Sequence, residues 1–165
     1  MESAIAGIFL KSSIDRLQRL SGEIDKCLDH LNDDQIWTRG GAHENAIGNL
    51  ILHLCGNARQ WIISGVGGAP DIRQRDTEFA AKGELSKAEL LAILHQTVAE
   101  AIAVLNAVEP DRLAEIIVPQ GYTVPVLEAI YQVVTHFHQH TGQIIFATKI
   151  LSGEDLGLFR PKPTP

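Results

Sequence analysis

The chain has 165 residues, 45% of them apolar, and carries 14 basic against 20 acidic residues for a net charge of −6. That length suits one domain with a well-filled core. The acidic balance, with no basic cluster to offset it, argues against a nucleic-acid or anionic-membrane partner. Two cysteines, Cys27 and Cys55, without a CxxC pair, fit a reducing cytoplasm better than a disulfide framework. Met1-Glu2-Ser3-Ala4 has no signal-peptide pattern. No apolar run is read as approaching the roughly 20 residues of a membrane span, so a cytoplasmic, non-membrane protein is expected.

Residues 3–31 read as a first helix, with Leu10, Ile14, Leu17, Leu20, Ile24, Leu28 and Leu31 at helical spacing. His30 near its end is a favourable charge at a helix C-terminus rather than a ligand. Residues 32–44 are a connection with turn signals at Asn32-Asp33-Asp34 and Arg39-Gly40-Gly41. Trp37 is expected to lid the core, and His43 to be an exposed loop residue.

A second helix is placed from Asn45, as N-cap, to Ser64. Ala46, Leu50, His53, Leu54, Asn57 and Trp61 share its inward face. Asn57 points the same way as His53 one turn on, and Asn49 and Gln60 flank the stripe. Such polar neighbours suit residues that orient a ligand or touch substrate, and also a face that is merely half wet. Gly56 is read as a place where another helix can come close. Cys55 lies about 200° round from His53 and should not share a ligand with it.

Gly65 to Pro70 ends this helix, and a charged segment, Asp71 to Phe79, follows. A connection of about 20 residues is long for a compact domain and is often functional. Arg73 or Arg75 there could meet an anionic substrate, though surface ion pairs are the expected role. Ser86-Lys87-Ala88-Glu89 is a capping box. It opens a third helix to about Val108, with His95 on its boundary. Pro110 closes it, and Ile116-Ile117-Val118 could be extended.

Thr123–Leu151 is the fourth helix, capped by Thr123 and ended by Gly153. Pro125 suits its first turn. On it Ala129, Val133, His136, His140, Ile144, Ala147 and Leu151 form one apolar stripe. His136 and His140 are therefore expected to point inward, about 40° apart, and His138 to point away. Two inward imidazoles need partners. A divalent cation shared with His53 would satisfy all three, leaving positions open for water or substrate. Hydrogen-bonded core histidines are the competing reading. The expected fold is an all-α bundle of four helices in one domain, 1–155, with a proline-rich tail, 156–165.

The segment Ile47-Gly48-Asn49-Leu50-Ile51-Leu52-His53-Leu54, together with His136-xxx-His140-Thr141-Gly142-Gln143-Ile144, resembles the DinB-like (DinB/YfiT-like) metalloenzyme superfamily over nearly the whole chain. The resemblance implies a four-helix bundle in up-down-down-up order and a homodimer. It also implies a divalent metal on His53, His136 and His140. Members of that family transfer thiol cofactors to electrophiles or isomerise maleylpyruvate. Thr141 stands where Arg is common in relatives, so an anion contact there is not carried over.

The function expected is a metal-dependent enzyme, a thiol-cofactor S-transferase acting on a small electrophilic molecule. One divalent ion, zinc or nickel first and iron or manganese as alternatives, would hold the thiol as thiolate. A hydrolase of the same fold, or a non-catalytic metal- or ligand-binding bundle, are the alternatives. No Asp or Glu lies on either histidine stripe, which favours thiol activation over hydrolysis. Asn49, Asn57, Gln132 and Gln143 are the candidate orienting or substrate-binding residues.

Overall fold

The structure, a computed structural model, describes residues 2–158. Six helices and one two-stranded ribbon make an all-α protein. Helix α1 spans Glu2–Asp29, α2 Asp33–Ile36, α3 Ile47–Ala58, α4 Arg75–Ala80, α5 Lys87–Asn106 and α6 Val126–Ser152. Strands β1, Ile116–Ile117, and β2, Val124–Pro125, pair antiparallel with Ile117 opposite Val124. The extended reading at Ile116-Ile117 is thus met. Of the expected tail, Leu156 is packed on the core, and 159–165 lie outside the described residues.

One apolar core joins the long helices. Leu17, Leu20, Ile24 and Leu28 of α1 meet Ile51 and Leu54 of α3, Leu90 and Leu94 of α5, and Ile130, Val133 and Phe137 of α6. Helix α1 packs on α5 and α6, and α3 packs on α4, α5 and α6. Chain direction follows from end-to-end contacts. His30, just past α1, meets Glu154, just past α6. Lys87, opening α5, donates to the carbonyls of Leu28 and Leu31. Arg59 after α3 pairs with Glu100 of α5 at 2.9 Å.

Several local readings are corrected. Asn32 does not merely mark a turn: it caps the one-turn helix α2. Its Oδ1 accepts from Gln35 N at 2.9 Å, and Gln35 Oε1 accepts from Asn32 N at 3.0 Å. Asn45 is not the cap of α3; Ala46 holds that position, and the side chain of Asn49 reaches back to Ala46 N instead. Thr123 does not cap α6, because β2 continues through Pro125, which itself takes the cap position. Gly153 does close α6, in the left-handed region at φ 70° that glycine adopts without a Cβ clash. Ser86 and Glu89 form the expected capping box of α5.

Beyond Ala58 the helix does not stay α. Arg59–Val66 is π-helical, a wider turn that often marks functional sites. Helix α5 also overturns one membrane expectation: by length and composition it is apolar enough to cross a bilayer. Its Leu90, Leu94, Val98, Ala101 and Leu105 are spent in the core.

Candidate metal centre

Helix α3 carries His53 on its buried face, and α6 brings His136 and His140 across from it. Ligating nitrogens of the three rings lie within 4.8 Å of one another. Nε2 of His53 and Nε2 of His136 are 2.9 Å apart. The rings meet edge-on, with centroids 4.4 Å apart for His136–His140 and 5.2 Å for His53–His140. Nitrogens bound to one zinc ion at about 2.0–2.1 Å come close in this manner, so the donor set fits a divalent cation.

The three histidines are not equivalent. His53 is 7% exposed, as the sequence face implied. His136 and His140 are only half-buried, which corrects the expectation that both point fully inward. The buried face of α6 runs through Val133, Phe137, Thr141, Ile144 and Thr148, a fraction of a turn away from the apolar stripe read in the sequence. The two histidines therefore sit on the rim of the core, where solvent and small molecules reach them. His138 is exposed, as expected.

Burial, the neighbouring imidazoles and Arg73 push His136 down to about 4, and burial also lowers His140 against the opposing contact from Gln143. Both are neutral at pH 7, the state in which imidazole ligates.

His53 is held by a residue the sequence reading missed. Its Nδ1 lies 2.9 Å from Glu78 Oε2, on α4. A carboxylate only accepts, so Nδ1–H donates and Nε2 keeps its lone pair for a metal. Glu78 is itself gripped: Arg73 Nε donates to Oε1 at 2.7 Å and Arg73 Nη2 to Oε2 at 2.9 Å. Burial alone would raise Glu78, but the hydrogen bonds and charges of Arg73 and His53 hold it below the ordinary carboxylate range. The ring of Phe79 covers His53 at 4.8 Å, and the Arg75 guanidinium lies 4.9 Å over Phe79.

Arg73 is thus neither a surface ion pair nor a free anion site; its side chain is 4% exposed and committed to Glu78 and to Gln60 Oε1 at 2.9 Å. Gly56 also has a different role from the one expected. A Cβ there would fall 1.9 Å from Glu78 Oε1, so the missing side chain admits a carboxylate rather than a helix.

The four polar candidates divide. Gln143 touches the centre: its Oε1 accepts from His140 Nδ1–H at 2.6 Å, leaving Nε2 as that ring's free nitrogen. Asn49 acts once removed. Fully buried, it accepts from Ala46 N and Arg39 and donates to the carbonyls of Glu78 and Ala81, clamping the segment that carries Glu78. Asn57 is buried with its Oδ1 unpartnered, one turn beyond His53. Gln132 has no hydrogen bond to the histidines among the described residues and lines a separate cavity with Trp61, Tyr122 and Tyr131.

The distant polar residues play structural parts. His43 is exposed and His95 pairs with Asp25 at 2.7 Å. Trp37 donates to Leu85 O at 2.8 Å and lies over Gly48. Cys27 and Cys55 are free thiols in the core, and burial pushes them up to about 11 and about 12, so neither is a nucleophile.

The family DUF1572, described as a protein of unknown function, matches residues 4–160. No curated protein matches the sequence. Among solved structures, a conserved protein from Enterococcus faecalis shares the fold with a TM-score of 0.72 at 14% identity, over 87% of this chain and 97% of that one.

Proposed function

The chain belongs to the DUF1572 family, and from that premise we propose a divalent-metal-dependent enzyme of the DinB-like type that joins a low-molecular-weight thiol to a small electrophile. The observation that carries this reading is the convergence of His53, His136 and His140, with the buried one oriented by Glu78. The fold we infer is a four-helix bundle in up-down-down-up order. Its support is the meeting of the ends of α1 and α6 and of the end of α1 with the start of α5. Three imidazoles suit zinc or nickel.

A bound divalent cation supplies the positive charge that lowers the pKa of a thiol at neutral pH. The protein's own groups do the rest. Glu78 and Gln143 fix the tautomers of His53 and His140, so that a lone pair faces the shared point. Among the described residues no carboxylate joins the three histidines. Glu78 faces the far nitrogen of His53 and is committed to Arg73. No free base therefore stands where a hydrolytic water would need one, which favours thiol addition over hydrolysis.

The test is transfer of thiols to 1-chloro-2,4-dinitrobenzene by zinc- or nickel-loaded protein. A sulfur–carbon bond forms, chloride leaves and the thiol proton passes to buffer. The reading expects a rate above background that His136→Ala abolishes. Background rates across a panel of small thiols, with metal bound and the fold intact, would contradict it.

A further inference from the structure

Both tyrosines of the chain and one of its two tryptophans line a single cavity further along α3 and α6 from the histidines. The cavity measures about 470 Å³ and is walled by Trp61, Gln120, Tyr122, Glu128, Tyr131 and Gln132. Trp61 follows His53 by two helical turns and Gln132 precedes His136 by one. Along the helices these offsets are about 12 and 6 Å, on the same side of the centre because α3 and α6 run in opposite directions.

Trp61 belongs to the core, but the two tyrosines do not. Tyr122 and Tyr131 are 60% and 59% exposed, and Tyr122 stacks on Trp61 with centroids 5.9 Å apart. The loop that brings them together is strained. Gln120, at φ 53°, is the one non-glycine residue at positive φ among those described, and its Oε1 is held by Trp61 Nε1 at 3.2 Å. Such backbone strain persists where the surroundings fix it, and it clusters at ligand sites.

The charge in the cavity has one sign. Glu128 is its only charged wall residue, no Lys or Arg lines it, and Glu128 forms no ion pair among the described residues. On α6, Glu128, Tyr131 and Gln132 fall on one face at i, i+3 and i+4. Aromatic faces beside an unpaired carboxylate attract a cation and repel an anion. Glu128 is exposed to solvent, and a neutral guest gains nothing from its charge.

We propose that this cavity binds the ammonium end of a small cationic molecule, a quaternary or other alkylated amine, and presents its other end to the three histidines. What happens at that other end rests on the enzyme reading above; the binding does not. The experiment is therefore run on chelator-treated, metal-free protein, so that failure of metal binding cannot mask it.

Choline is titrated by calorimetry against its neutral isostere 3,3-dimethylbutan-1-ol. Choline is expected to saturate one site, with the alcohol about tenfold weaker. Glu128→Gln should weaken choline by a similar factor. Tyr122→Leu and Tyr131→Leu, at exposed positions that leave the fold alone, should each weaken it several-fold. Absence of saturable choline binding, equal affinity for the alcohol, or an unchanged affinity in Glu128→Gln would overturn the proposal.

Discussion

The two walls of the centre are built differently. On the α3 wall His53 is buried, covered by Phe79, and tied through Glu78 to Arg73, with Asn49 clamping the segment behind. On the α6 wall His136 and His140 are half-buried, and Gln143, itself exposed, is hydrogen-bonded to His140. One wall is preorganised and the other faces solvent. Fixed geometry is thus concentrated in one of the three histidines, and access in the other two. The same division predicts that the first wall tolerates less change than the second.

The largest effect should come from breaking the buried ion pair. Arg73→Met leaves Glu78 without its cation and should cost about 3–5 kcal/mol of stability in urea denaturation. Next, Glu78→Gln keeps the shape but exchanges the acceptor on His53 for an amide. Calorimetric zinc affinity should fall about 10–100-fold with helicity retained.

A smaller loss is expected for Gly56→Ala, which crowds Glu78 and Arg73. Gly142→Ala, with nothing within 4 Å of its added Cβ, should leave zinc binding as it was. The comparison is blunted if the two glycine variants bind alike.

The α6 wall gives a pH signature. His136 sits at about 4 in the folded, metal-free chain against an ordinary 6.5. Between those values the unfolded chain takes up a proton that the folded one refuses. Stability of the metal-free protein should therefore fall as pH drops from 6.5 to about 4. Part of that slope should vanish in His136→Gln, read by urea midpoints across the range. The smallest effect is expected for Gln143→Leu, whose His140 contact is exposed: less than about tenfold in zinc affinity.

The three histidines are legible in the sequence because each lies on a helix where spacing fixes direction. His53 falls on a stripe of Leu50, Leu54 and Trp61 that is buried as read. The α6 stripe is offset because its buried face includes Thr141 and Thr148, polar residues that a hydropathy pattern assigns to solvent. Thr148 hides its hydroxyl by bonding to Ile144 O at 2.8 Å.

Glu78 and Arg73 are invisible to periodicity. Glu78 reaches His53 from the short helix α4 and Arg73 from the irregular loop before it, and no helical register relates that segment to α3. The available hint was Gly56, whose small size at the contact point was read as room for a helix rather than for a side chain. The aromatic cavity was missed for a similar reason, since Tyr122 and Gln120 come from the β1–β2 connection.

The most direct test of the centre is metal content by elemental mass spectrometry on untagged protein, beside His53→Ala and His136→Ala. The account predicts about one divalent ion per chain, lost in both variants while helicity survives. A folded native protein that holds no ion, and takes up none when offered zinc, nickel, iron or manganese, would contradict it.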